Sequence, residues 1–316
     1  MCIRDRLKGT STPTNNSGAN NIALGLDAGK NVKTGADNIA LGQSAMANGE
    51  VTGQQNITLG LSAGTDITSG SYNILFGRNI AKGITTGSSN IAMGTGTLGG
   101  DLAATTTGSS NVMIGNLNAV GATSAGYNTM VGEQAGRYLT TTGYNALFGA
   151  YAGIRMRGAY NIALGANAME GSSTAADNTG GCNIALGKSS GAAMTTGNQN
   201  VLIGCKAGGQ LTTAERNVYL GSAAQSTATG NDNVAAGFGA ANNNTGAYNV
   251  MFGRYAGCLQ TSGAANVFIG ANVAKCHTTG KCNVFIGNEA GSHASSSGGT
   301  GAVSYTHLTL PTSDLV

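Results

Sequence analysis

Few residues in this chain have the chemistry of a catalytic or metal site, and their spacing decides what they can do. Between residues 8 and 302 the acids are Asp27, Asp37, Glu50, Asp66, Asp101, Glu133, Glu170, Asp177, Glu215, Asp232 and Glu289, and the histidines are His277 and His293. Measured against the repeat that runs through the chain, most acids fall at different offsets. Asp37 and Asp232 share one but lie many repeats apart, so no glycosidase-type carboxylate pair is set up. A calcium-binding β-roll needs an Asp in each Gly-rich repeat, and that is absent. Cys276, His277 and Cys282 match no structural zinc spacing. The native cysteines are Cys182, Cys205, Cys258, Cys276 and Cys282. Their odd number argues against a disulfide framework, while Cys258 and Cys276, about one repeat apart, leave a single bridge open. The expectation is a protein that is not an enzyme and has no cofactor. For recognition the better candidates are Tyr127, Tyr144 and Tyr160, at the same offset in three successive repeats, with Arg155 and Arg157 just before Tyr160. Aromatic rings in a row beside guanidinium groups form a candidate ligand surface for a glycan or a protein receptor, set against a purely structural tyrosine stack.

What must position these groups is the repeat itself. The pattern Asn, apolar, any, apolar, Gly begins at Asn21, Asn38, Asn56, Asn73, Asn90, Asn111, Asn128, Asn145, Asn161, Asn183, Asn200, Asn217, Asn233, Asn249, Asn266 and Asn283, a period near 17 residues. A fixed period over most of a chain marks a repeat architecture rather than one central core. β-Branched residues after the Asn and a closing Gly read as a short strand. Gly every few residues excludes helix. Segments such as Val32-Lys33-Thr34, Ile84-Thr85-Thr86 and Leu211-Thr212-Thr213 suggest a second, weaker strand per repeat. The expected fold is all-β, a parallel β-solenoid of about 16 coils stacked about 4.8 Å apart.

Each column of the stack has an expected task. The asparagines form a ladder, each side-chain amide bonded to its neighbours in adjacent coils. The two apolar residues flanking the strand centre point inward, the Gly turns the backbone, and the Ala three residues later (Ala28, Ala45, Ala63 and their equivalents) fits a narrow corner. The strand centre is then left facing out. It is never charged, and Leu75, Met113, Met130, Leu147, Leu202, Tyr219, Met251, Phe268 and Phe285 make it a candidate oligomer interface, with a trimer the simplest assembly. Two coils are longer, at 99–105 and 170–177, where solenoid insertions often carry binding loops.

Only 9% of residues are charged, and the net charge is +3 without a basic run. No footprint for nucleic acid follows, and no apolar stretch is long enough to insert in a membrane. The two ends break the repeat in a related way. Val303 to Leu308 can be encoded by GTC TCT TAT ACA CAT CTG, whose reverse complement encodes Met1 to Asp5 after a Gln. This inverted pair looks like a transposon-end sequencing adapter. Residues 1–7 and 303–316 are therefore read as adapter-derived scars, and 8–302 as a single solenoid domain cut from a longer chain.

Repeats such as Gly35-Ala36-Asp37-Asn38-Ile39-Ala40-Leu41-Gly42-Gln43-Ser44-Ala45 resemble the head repeats of trimeric autotransporter adhesins, which are left-handed parallel β-rolls. The longer unit, with its Thr-Thr-Gly segment, is similar to the repeat region of phage tail-fibre proteins. The resemblance spans about residues 18–302 and brings no catalytic residues. It implies a left-handed, trimeric coil acting as a structural or adhesive fibre segment in a virion, spacing or mediating attachment to a bacterial surface. The head of a bacterial cell-surface adhesin is the alternative, and an ice-binding solenoid using stacked threonines is a remote one.

Overall fold

A computed structural model describes residues 17–99, 106–173, 178–224, 230–292 and 300–305. The inserted residues 100–105 and 174–177, His293, and the terminal stretches 1–7 and 306–316 lie outside the described residues. The chain divides into two compact units, one running through Asn167, to which Ser173 also belongs, and the other from Ala168.

In the first unit the strands are β1 (Ile22–Leu24), β2 (Ile39–Leu41), β3 (Ile57–Leu59), β4 (Ile74–Phe76), β5 (Ile91–Met93), β6 (Val112–Ile114), β7 (Thr129–Val131), β8 (Ala146–Phe148) and β9 (Ile162–Leu164). Each pairs in parallel with the next, β-branched or small first residue against its equivalent, as in Ile57↔Ile74 and Leu59↔Phe76. The second unit repeats this ladder with β10 (Ile184–Leu186), β11 (Val201–Ile203), β12 (Val218–Leu220), β13 (Val234–Ala236), β14 (Val250–Phe252), β15 (Val267–Ile269), β16 (Val284–Ile286) and β17 (Val303–Tyr305). The fold is thus a parallel β-solenoid with one strand per 17-residue coil. No described residue is helical. The last strand uses the first residues of the C-terminal stretch read as a scar, with Ala302 in the Asn slot, donating its N–H to Asn283 Oδ1 at 2.8 Å.

The expected second strand is not formed. Its residues are held by turns and by isolated parallel bridges such as Val32↔Val51 and Ile84↔Thr106. Four backbone reversals per coil leave too few consecutive extended residues. One is the Gly after the strand, with φ between 123° and 144°. The others are left-handed positions on either side of the Ala corner and just before the Asn. At Gly149 both demands meet: φ is +132°, and a Cβ would lie 2.6 Å from the carbonyl oxygen of Gly165 in the next coil. Only glycine satisfies both.

The inward and outward faces are the reverse of the expectation, and this corrects the proposed oligomer interface. Leu75, Met113, Met130, Leu147, Leu202, Tyr219, Met251 and Phe268 have 0% exposure and Phe285 4%, so these strand centres form the core of their own coils. The first and third strand residues face out, with Ile22, Leu59, Ile114, Phe148, Leu164, Ile203, Phe252 and Ile286 among the exposed side chains. The reason is the two-residue period of a strand. The ladder Asn is buried, and the residue two further on shares its face. An inward Asn and an inward first strand residue are mutually exclusive.

In most coils core volume is balanced between the strand centre and the left-handed residue six positions later. A small centre faces a large partner, as with Ala40 and Met46 or Ala92 and Leu98, all buried. A large centre faces Gly or Ala. A Cβ on Gly136 would sit 2.6 Å from Met130 Sδ, and one on Gly257 2.7 Å from Met251 Sδ. Ala185 and Gly191 are both small, and there Leu202 and Met194 fill the space from neighbouring positions, 2.9 and 3.0 Å from a Cβ on Gly191.

Candidate functional surface

The asparagine column is the spine on which every outward group is hung. In the first unit each backbone N–H of Asn38, Asn56, Asn73, Asn90, Asn111, Asn128, Asn145 and Asn161 donates to the Oδ1 of the Asn one coil earlier, at 2.9–3.1 Å. From Asn200 to Asn283 the second unit does the same at 2.9–3.0 Å. Side-chain Nδ2 groups add a second bond to the same oxygen and a third to a carbonyl in the following coil, as Asn73 does with Asn56 Oδ1 and Gly87 O, both at 2.9 Å. A buried amide with every hydrogen engaged stabilises the stack, whereas an unpaired one would oppose it.

The residue before each ladder Asn is left-handed, with φ near 60° at Tyr72, Tyr127, Tyr144 and Tyr160, and its side chain stands out into solvent. Tyr127, Tyr144 and Tyr160 stack with ring centroids 4.9 and 5.0 Å apart and planes within 5° and 9°. The structure does not join both arginines to this stack. Arg157 makes no ring contact with it, and the Arg157 Nε is buried without a hydrogen-bond partner. Arg155 is half-buried on the adjoining turn. Guanidinium groups do lie over rings elsewhere, Arg137 over Tyr138 at 5.3 Å and Arg254 over Tyr255 at 4.9 Å.

The same outward column carries polar pairs. Asn20 donates to Asp37 at 3.0 Å. Arg216 forms a two-point bond to Asp232, Nε to Oδ1 at 2.7 Å and Nη2 to Oδ2 at 3.1 Å, and a third contact to Glu215. The hydrogen bonds from Arg216 hold the Asp232 carboxyl below its ordinary range, and Asp232 in turn raises the guanidinium. These groups tie neighbouring coils together at the surface, where ion pairs contribute little.

On another side Thr68, Thr123, Thr195, Thr245 and Thr261 each donate a hydroxyl to the carbonyl of the next Thr in the column, at 3.0–3.4 Å. Gln260 and Ala214, near this column in the sequence, are buried, and Thr261 and Thr212 occupy it. All five described cysteines are free; Cys258 is buried and Cys276 exposed, so the bridge left open by the sequence is not formed. Burial raises the Cys258 thiol. Among the described residues no group of three metal-ligating side chains converges, and no helix is long and apolar enough to cross a membrane.

The burial of His277 is a feature that its place in the sequence did not indicate. The side chain occupies an inward slot filled in other coils by Ile67, Ile84 or Leu139. It packs edge-on against Phe268 and Phe285 with centroids 5.6 and 5.5 Å away. Its Nε2 lies 3.3 Å from Asn283 Nδ2, while Nδ1 has no partner. An amide nitrogen only donates, so Nε2 accepts and the proton sits on Nδ1. Desolvation lowers its pKa.

Compared with known proteins, the chain matches no family model, no curated protein and no solved structure.

Proposed function

We propose that this chain is a structural and adhesive segment of a phage-type tail fibre, associating with further copies of itself, most simply as a trimer, to space or mediate attachment to a bacterial surface. The observation that carries the reading is the outward strand face. The first and third residues of β1 through β16 include no charged side chain, although the fold needs neither of them inside. In the first unit alone this strip has a footprint of about 400 Å² before side-chain relief, from nine three-residue rungs about 4.8 Å apart. An apolar patch of that size is comparable with the largest that a typical monomer exposes, and such patches often mark an interaction site. The columns beside it are more polar, including Arg78, Asn116 and Glu133 on one side and Asp37, Gln55 and Ser89 on the other. An apolar centre with a polar rim is the anatomy of a protein interface.

Sedimentation equilibrium tests the association. The expected result is a defined oligomer. Single charges placed on the outer face, Phe148→Glu or Ile203→Glu, should dissociate it while leaving the far-ultraviolet circular dichroism of the coil unchanged. A stable monomer at high concentration would overturn the assembly and with it the fibre reading.

A further inference from the structure

We infer that the column of left-handed residues in the first unit carries a binding slot for a neutral saccharide, bracketed by Tyr72 and Tyr127 and floored by Ser89 and Ser110. This deepens the attachment reading proposed above and rests on it.

The four residues occupy the same position in four successive coils. Their backbones share one conformation, φ 61°, 59°, 60° and 59°. Each backbone N–H donates to the coil before it, at 2.9–3.1 Å, so the column is in register across the slot. Both tyrosines are more than half exposed, 58% for Tyr72 and 59% for Tyr127. Rings one coil apart in this column stack 4.9–5.0 Å apart. Three such steps place the two aromatic positions about 15 Å apart. Tyr127 is stacked on one side only, by Tyr144; on the other its column neighbour is a serine, so that ring face is open.

The floor is different from the rest of the serine surface. Ser71, Ser88 and Ser109 lie beside it, and their hydroxyl oxygens accept backbone N–H bonds from the preceding coil at 3.0 Å. Among the described residues the Ser89 and Ser110 hydroxyls have no hydrogen-bond partner. They are free donors and acceptors between two aromatic walls. A sugar ring offers what those groups match, an apolar C–H face for an aromatic ring and hydroxyls around its edge. None of the four coils has a charged residue at the slot positions or the positions immediately before them, and Arg157 is not joined to the tyrosine stack. An acidic saccharide would find no counter-charge there.

The test uses the full chain and a panel of immobilised oligosaccharides, neutral cello-, chito- and manno-oligosaccharides and acidic oligogalacturonate, with a tyrosine-containing peptide as a further probe. Saturable binding of a neutral oligosaccharide is expected, with a change in tyrosine emission that is directly readable because the chain has no Trp. Tyr72→Ala and Tyr127→Ala should each weaken it by about tenfold or more, and Ser110→Arg should block the slot with both walls intact. Tyr248→Ala, in the same column of the second unit between Asp232 and Ala265, should change nothing. The column tolerates these side chains, since Ala265 and Arg216 adopt its conformation at φ 56° and 57°. No binding to any neutral sugar, binding only to the acidic sugar or the peptide, or wild-type binding by the Tyr72 and Tyr127 variants would each overturn the proposal. Sedimentation of the same samples reports the fibre reading separately, so loss of one is not mistaken for loss of the other.

Discussion

Removing one amide from the asparagine ladder should reveal how much of the solenoid's stability the ladder carries. Asn90 sits inside the first unit with neighbours above and below. Its Nδ2 donates to Asn73 Oδ1 and to Gly108 O, each at 3.0 Å. Its Oδ1 accepts from the backbone N–H of Asn111 at 3.1 Å and from Asn111 Nδ2 at 2.9 Å. Asn90→Ala deletes all four bonds. Asn111 Nδ2 keeps its bond to Ala125 O at 2.9 Å, and Asn73 Oδ1 keeps the Asn90 backbone N–H, but the Asn111 N–H is left buried without its acceptor. Three lost bonds at a net of about 1 kcal/mol each, with the unsatisfied buried donor costing about 1–3 kcal/mol, give a destabilisation of about 4–6 kcal/mol. Asn90→Asp is a sharper probe because its shape is the same. Its second oxygen would face the acceptors Asn73 Oδ1 and Gly108 O, so the buried carboxylate should destabilise more than Ala at neutral pH. Protonation restores one donor, raising the folded-state pKa above the usual ~4. Stability of this variant is therefore fullest below that value and is lost as pH rises through the folded pKa. Urea unfolding, followed by circular dichroism and tyrosine emission at several pH values, measures both effects. An alanine variant within about 1 kcal/mol of the parent, or an aspartate variant indifferent to pH, would show that the strands alone order the stack.

Three other outcomes are expected. Gly149→Ala should destabilise strongly, by about 3 kcal/mol or more, since the added Cβ meets the Gly165 carbonyl and an L-residue rarely adopts φ +132°; thermal unfolding and expression as folded protein measure it. Met130→Ala should cost about 2–5 kcal/mol through the cavity it leaves, and adding Gly136→Met should recover part of that by copying the Ala40–Met46 coil, as a double-mutant cycle in urea would show. His277 has its pKa lowered by burial among Phe268, Phe285 and Asn283, none of them charged. Its contribution is fully present above the unfolded pKa near 6.5 and is lost as pH falls toward the folded value, so melting temperature should drop on acidification below about pH 6.5 and His277→Ile should flatten that dependence.

Much of this molecule is legible in its sequence because the repeat states each structural demand sixteen times. The Asn-led strands, their parallel stacking, the glycine turn and the narrow alanine corner all follow from columns that hardly vary. Burial of the strand centre was readable too. Asn90 and Ala92 are two residues apart in one strand, so an inward ladder required an inward centre, but bulky Ile and Val beside that centre draw attention by hydrophobicity alone. Thr85 and its equivalents lack strand partners because four positive-φ reversals per coil leave no straight segment, and such turns are hidden when Asp27, Ser44 or Tyr72 adopt them in place of Gly. The compensation between Met130 and Gly136 needs pair comparison across coils rather than column averages. The burial of Arg157 Nε depends on how one 16-residue coil closes, and residue types do not encode that.

The volume balance between strand centre and corner has a bearing on how such a chain changes length. Because Ala40 is answered by Met46 and Met130 by Gly136 inside single coils, segments of this kind behave as self-fitted cassettes, whereas the Ala185 coil borrows Leu202 from the next one. Unequal recombination between self-fitted copies would lengthen or shorten the array with little readjustment by their neighbours. Selection would then be free to alter the outer columns while the interior travels along intact.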